Sequence, residues 1–424
     1  MLKTMLLGVS FTAATFAAAA PTFSKDVLPI LQEKCQGCHR PGEIGPMAFL
    51  TYDQVRPWAK AIKSDVIARK MPPWFADPHY GKFSNDRSLT ETELKTVTAW
   101  VDAGAPQGDP KAAPAPKKWL QGWNIPTPDL VIELPLETKV PAKGEIDYQY
   151  ILAQPNFKED VWVQMVEVRP DVPSVVHHAV VFIREPSSKW LRGEIEAGKA
   201  WTAPPNRRAA ETFGGNSEIL TVYTPGMVPD VWKPGLAKKI PAGSDLIFQM
   251  HYTANGKEVV DKTKVGIVFS KEPPTERVIT TAAVNTFFKI APGDPNYQVD
   301  AKAQPHNNPA TLISFFPHMH VRGKAFEYRL IQPSGEVETL LRVPHYDFNW
   351  QLSYKTEKPI VLVPGSRIEA SAWFDNSPNN PANPDPKSTV KWGEQSWEEM
   401  MIGFYDIAVD AKFDRRTYYQ KRSD

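Results

Sequence analysis

Only two cysteines occur in 424 residues, and both stand in Cys35-Gln36-Gly37-Cys38-His39. No disulfide can therefore tie any other part of the chain together. An excess of either charge is also missing, with 49 Lys and Arg against 48 Asp and Glu. That balance leaves no footprint for nucleic acid or for an anionic membrane surface. The apolar stretch from Met5 to Ala20 is too short to cross a bilayer, so no membrane span is expected. Ser-His-Asp arrangements, P-loops and dinucleotide-binding glycine motifs are absent too, which removes the commonest hydrolase, NTPase and dehydrogenase chemistries.

What the chain does contain is specific. Cys-x-x-Cys-His is the attachment signature of a c-type haem: two thiols form thioethers to the vinyl groups, and the adjacent His gives the iron an axial nitrogen. A redox dithiol would need a βαβ setting and a zinc site two more ligands nearby, and neither is visible. The sequence thus predicts covalent haem c on Cys35, Cys38 and His39. Export agrees with it. Lys3, an apolar stretch and an alanine run form a signal peptide over residues 1–20, with cleavage after Ala19 favoured because Pro21 would obstruct a peptidase after Ala20. A periplasmic or secreted location follows. About 400 remaining residues suffice for a core without covalent staples.

Residues 21–105 read as small and all-α. Ser24 is placed to cap a short helix running into Cys35. Thr51 precedes Val55, Trp58, Ala59, Ile62 and Val66, a 3.6-residue period. Thr90 and Glu93 form a capping box, and Gly104 stands where a C-terminal glycine belongs. This layout resembles a small class I cytochrome c. In such a protein Met71, which lies 32 residues after His39, would be the sixth ligand, with Met47 as the alternative and the Pro46 carbonyl orienting His39. Residues 106–118 are proline-rich and predict an extended linker.

From Trp119 the period changes to two. Short β-branched and aromatic runs, among them Val161 to Val168, Val175 to Ile183, Asp245 to Tyr252, Lys264 to Phe269, Thr311 to Phe316 and Ile368 to Phe374, alternate with Gly, Pro and Asn. With 41 prolines, the pattern fits all-β sandwiches. Its length suggests two, 119–272 and 273–412, before a tail over 413–424.

Five histidines in this region fall inside apolar strands. His318 and His320 lie two apart and share a face, with Met319 pointing away. Adjacent His177 and His178 would diverge on a regular strand, so with His251 they can share a metal only at a bulge or strand end, which Pro173 and Ser174 make plausible. Burying imidazoles singly is ordinary, but His-His and His-x-His in hydrophobic strands are costly without compensation. Met400 offers a thioether. Imidazole and thioether without thiolate point to copper. His79, His306 and His345 read as surface or core histidines.

Taken in order, Val176-His177-His178-Ala-Val-Val-Phe, Gln249-Met-His251-Tyr252-Thr, Pro317-His318-Met-His320-Val-Arg-Gly323, Tyr346-Asp347-Phe348-Asn349-Trp-Gln351 and Glu399-Met400 resemble the copper type II, ascorbate-dependent monooxygenases. That family includes the peptidylglycine α-hydroxylating and dopamine β-monooxygenases. The resemblance covers residues 119–412. It implies two jelly-roll-like sandwich domains and two copper ions facing each other across a solvent-filled cleft. His177, His178 and His251 would hold the electron-storing copper. His318, His320 and Met400 would hold the copper that binds dioxygen, which makes them the catalytic set. Alignment on Glu399 selects Met400 over Met401. The chain departs from the animal members in lacking disulfides and in Ala179, Met319 and Met401.

The expectation is a multidomain protein, a small cytochrome c domain followed by two β-sandwiches. It would act as a copper-dependent monooxygenase that hydroxylates a C–H bond of a small organic substrate with O2. Electrons would enter through the fused haem from an external donor, another cytochrome or an ascorbate-like reductant. The alternative is a periplasmic haem and copper electron-transfer or copper-binding protein without hydroxylase activity.

Overall fold

The computed structural model describes residues 20–120, 122–204 and 217–415. The expected leader lies outside them apart from Ala20, as does 416–424 of the expected tail. Two compact units divide the described chain. One comprises 20–40, 47–72 and 89–117, and the other 41–46, 73–88 and 118–415.

Helices build the first unit. A π-helical turn Phe23–Val27 runs into Leu28–Lys34, and Tyr52–Val55, Ala59–Ile67 and Glu91–Asp102 follow. No strand occurs in this unit among the described residues. Capping sets the starts. The Thr51 hydroxyl accepts from Gln54 N–H while the Gln54 side chain returns to Thr51 N–H, and Thr90 and Glu93 repeat the arrangement. Gly104 takes φ +85° just past the last helix, the left-handed turn that favours glycine. The first helix begins earlier than expected. Thr22, not Ser24, precedes it, donating from backbone and hydroxyl to the Asp26 carboxylate. Phe23, Val27, Leu31, Phe49, Val55 and Trp100 form the core.

Residues 106–117 are not a free spacer. The Pro106 carbonyl accepts from Phe23 N–H and Trp100 Nε1–H, and the Ala115 carbonyl from Gln32 Nε2. Proline removes a donor but keeps its acceptor, so a proline-rich segment can still be tied down through carbonyls.

Strands dominate the second unit. Nine form one sheet in the order Leu130–Glu133, Lys264–Phe269, Val161–Arg169, Leu236–Ile240, Glu276–Val284, Ile402–Asp410, Ala310–His318 and Tyr354–Leu362, with Asp230–Val231 at the side of Val161–Arg169. A five-stranded sheet containing Gln149–Ala153, Val176–Arg184 and Asp245–Tyr252 covers one half of it. A four-stranded sheet, Tyr297–Lys302, Arg367–Phe374, Gly323–Ile331 and Val337–Val343, covers the other. Each half is thus a β-sandwich, as the alternating pattern predicts.

The halves expected as 119–272 and 273–412 nevertheless share a sheet. Leu236–Ile240 pairs in parallel with Glu276–Val284 across the expected boundary. The buried ion pair between Arg277 and Glu218, at 2.6 Å, spans the same seam. A further apolar cluster packs Tyr150, Val180 and Ile247 of the first half against Met400, Ile402 and Phe404 of the second. Residues 73–88, expected in the haem domain, belong here too. Trp74 and Phe83 lie 4.9 and 5.6 Å from the Tyr354 ring, and Ser84 N–H donates to the Lys355 carbonyl.

Candidate metal centre

The first histidine group is made by a register shift. His178 pairs with His251, but Tyr252 pairs with Val176, so His177 is an extra residue in its strand. A 3-10 turn at Pro173–Val175 leads into this bulge. Such an insertion turns both adjacent side chains toward one side. Their rings lie 5.0 Å from that of His251, and the three candidate ligand nitrogens all fall within 4.8 Å of one another. The Nδ1 atoms of His177 and His178 are 3.4 Å apart. His251 Nε2 meets the Ser396 hydroxyl at 3.3 Å, while its Nδ1 is buried without a partner. A buried lone pair facing no donor is costly, and a cation removes that cost.

The second group stands at the end of Ala310–His318, whose His318 is paired with Ile402. His318 Nδ1 is 2.7 Å from Gln351 Oε1, and His320 Nδ1 is 3.3 Å from the Glu398 carbonyl. Both partners are acceptors, so each Nδ1 carries the proton and each Nε2 presents its lone pair. His320 Nε2 is buried and unpartnered. Two residues before Ile402 on the same face, Met400 joins the cluster containing Ile402 and Phe404. Met401 points to the opposite side, into the core with Tyr405 and Ile407. Strand alternation therefore sets Met400, and not Met401, on the face of His318 and His320.

The backbone between these histidines is clamped. Glu399, fully buried, accepts from His320 N–H at 2.8 Å and Arg322 N–H at 2.7 Å. Burial pushes its carboxyl up to about 8, against the pull of those donors and of the Arg322 guanidinium. The Tyr346 hydroxyl accepts from Met319 N–H at 3.1 Å and donates to the Met319 carbonyl at 2.8 Å, and Met319 itself faces the core.

The two groups are close. His178 and His318 have ring centroids 6.0 Å apart, too close for a solvent-filled cleft of the kind the resemblance implies to lie between these two rings. Two aromatic residues fill the space. Tyr148 lies 4.3 Å from His251, 5.0 Å from His178 and 6.2 Å from His320. Phe348 stacks on His177 at 4.2 Å and lies 6.2 Å from His320. The apolar contact between the halves holds the groups together, because opening a cleft would expose it to water. All five rings are at most 8% exposed, too dry to hold a proton easily. Burial first, then the neighbouring histidines, lowers His177 to about 4; burial lowers His318 to about 4, and puts His178, His251 and His320 well below the ordinary value. They are neutral at pH 7, the form that ligates metal.

In the helical unit, Cys35 follows Leu28–Lys34 directly, and His39 N–H bonds to the Cys35 carbonyl. His39 Nδ1 is 3.1 Å from the Met47 carbonyl, not that of Pro46, and its ring stacks on Phe49 at 4.3 Å. The register of the loop shifts the acceptor by one residue. Nδ1 therefore carries the proton and Nε2 presents its lone pair, while burial lowers the ring's proton affinity. Burial and Cys38 push the Cys35 thiol up to about 12, the opposite of what a reactive dithiol or a thiolate ligand requires. Met71 is half-buried after Ala59–Ile67 in this unit, and among the described residues no hydrogen bond joins it to His39. His79 is exposed beside Asp77, His306 is buried and His345 exposed, as read from the sequence.

No protein-family model matches the chain, and no curated protein matches it. Among solved structures it is similar to the major capsid protein P2 of bacteriophage PM2, at 7% identity over 63% of this chain and 99% of that one, with a TM-score of 0.25. PNGF-II matches at 8% over 67% of this chain and 60% of that one, TM-score 0.24. A structure of infectious bursal disease virus Gx strain matches at 9% over 67% and 73%, TM-score 0.19. At these scores the likenesses carry no argument.

Sequence reasoning missed Tyr148, Ser396 and Trp397 as neighbours of the histidines. It quoted Phe348, Gln351 and Glu399 without giving them roles. Gln351 and Glu399 had a signal: an amide and a carboxylate beside strands otherwise apolar need partners.

Proposed function

We propose that this chain is a periplasmic copper-dependent monooxygenase, hydroxylating a C–H bond of a small organic substrate with O2 and fed with electrons through haem c on Cys35, Cys38 and His39. What supports the reading most is the convergence of five buried, neutral imidazoles with no carboxylate or thiolate in the ligating triad. Orphaned nitrogens on His251 and His320 fit a soft cation, and thioether with imidazole favours copper over zinc or calcium.

His177, His178 and His251 would hold one copper, and His318, His320 and Met400 the other. Copper bound there supplies one-electron redox steps and dioxygen activation. The protein's own part is positional. Gln351 fixes the tautomer of His318, Glu399 holds the His320 backbone, and Ser396 occupies His251 Nε2 so that Nδ1 faces inward. Tyr148 and Phe348 keep water from the rings. Insertion of one oxygen atom, with the other leaving as water, consumes two external electrons. Met71, with Met47 as the alternative, would complete the haem iron's coordination.

The test uses the full chain loaded with haem and copper, reduced, and given labelled dioxygen and a mixture of small metabolites. Mass spectrometry should find one labelled atom in one product. Oxygen uptake no faster than autoxidation, whatever is added, would overturn the monooxygenase and leave the electron-transfer or copper-binding protein.

A further inference from the structure

A cavity of about 580 Å³ ends on His251 and Phe348. Its walls come from both β-halves: Ile146 and the loop after His251 on one side, Val321, Ser396 and Trp397 on the other. The Phe348 ring lines it, and that ring is 4.2 Å from His177 and 6.2 Å from His320. A molecule resting on Phe348 therefore sits beside both histidine groups at once.

The chemistry of the walls restricts the occupant. Phe348 and Trp397 offer flat faces, and Ile146, Val321 and Ala254 offer aliphatic surface. Two lining side chains are charged, Lys143 and Glu145, both exposed and of opposite sign. In the copper-free chain no side chain inside would pair a buried charge on the ligand, and burying an unpaired charge is expensive. Ser396 provides one polar contact near His251. A volume of this size suits a compact small molecule, not a polymer.

We propose that this cavity is the substrate site and that it takes a neutral, largely apolar molecule bearing a flat ring. The inference rests on the monooxygenase reading for the word substrate, but the recognition itself does not depend on copper.

Matched probes separate the two. 2-Naphthol, 2-naphthoate and 2-naphthylmethylamine share a ring system and differ in charge. Titrated at pH 7 into the full, haem-loaded, copper-free chain by calorimetry, the neutral probe should bind roughly ten-fold tighter than either ion, the equivalent of about 1.4 kcal/mol. Ala254→Trp, which fills the cavity, should abolish binding. Trp397→Ala, a truncation at an exposed wall, should weaken it several-fold. Equal or tighter binding of an ion would overturn the proposal, as would unchanged naphthol binding in both variants. Copper binding is measured on a separate sample of the same chain. A chain that binds naphthol but no copper sinks the monooxygenase and spares the cavity, whereas copper with no naphthol does the reverse.

Discussion

At the scale of single residues, the tandem methionines point to opposite sides of their strand. Met400 lies on the histidine face and Met401 in the opposite core. Met400→Leu should lower copper bound per chain and change the Cu(I) carbonyl stretch seen by infrared, with little effect on melting. Met401→Leu, a volume-conserving swap, should keep both copper signatures and cost under about 1.5 kcal/mol. Identical copper behaviour in the two variants would remove Met400 from the site. Gln351 acts through His318. Gln351→Leu leaves the buried Nδ1–H of His318 without its acceptor at 2.7 Å. The loss should be about 1–3 kcal/mol in urea unfolding, and the Cu(II) EPR spectrum should change while copper stays bound.

Between elements, the site depends on how a few strands meet. Gly323 opens the strand after His320, and a Cβ there would stand 2.7 Å from the Tyr346 ring and 2.8 Å from Met319 Cβ. Gly323→Ala must displace Tyr346, whose hydroxyl pins Met319 between the two histidines. It should destabilise the chain by about 1–3 kcal/mol and reduce copper retention on dialysis, an effect that a distant surface glycine would not share. Proton linkage belongs to this scale as well, because strands from both halves bury the five rings. Their folded proton affinities are lowered, so the unfolded chain binds more protons once pH falls below the ordinary 6.5. Their stability contribution is complete above that value and is lost as pH falls, down to about 4 for His177 and His318 and through the lowered values of the other three rings. Urea unfolding of the copper-free chain should show this fall, and His177→Phe should make the slope shallower. A slope unchanged by that substitution would mean the rings are not dry.

For the molecule as a whole, the β-halves form one folding unit by sharing a nine-stranded sheet and the buried Arg277–Glu218 pair. They should melt together in one calorimetric transition, distinct from that of the helical unit. Residues 73–88 complicate any dissection. They leave the helical unit to place Trp74 and Phe83 against Tyr354 and Phe315. A fragment beginning at Lys118 would expose that surface and should melt lower than the same transition in the full chain. Equal melting temperatures would show that the segment adds nothing to the β unit.

The sequence by itself determined what is local. Capping boxes at Thr51 and Thr90 act within one helical turn, and strand periodicity acts within six or seven residues, so both were legible. The strands Asp245–Tyr252 and Lys264–Phe269 fall where the alternation placed them. The need for a bulge or a strand end at His177 and His178 followed from the alternation of side chains along a strand. Only the tertiary structure decided what depends on distant partners. Two sandwiches joined into one sheet, 73–88 went to the β unit, and 106–117 folded back through the carbonyls of Pro106, Gln107 and Ala115. Closure of the histidine groups to 6.0 Å belongs with these, because it comes from apolar contacts between residues far apart in the sequence, which no periodicity records.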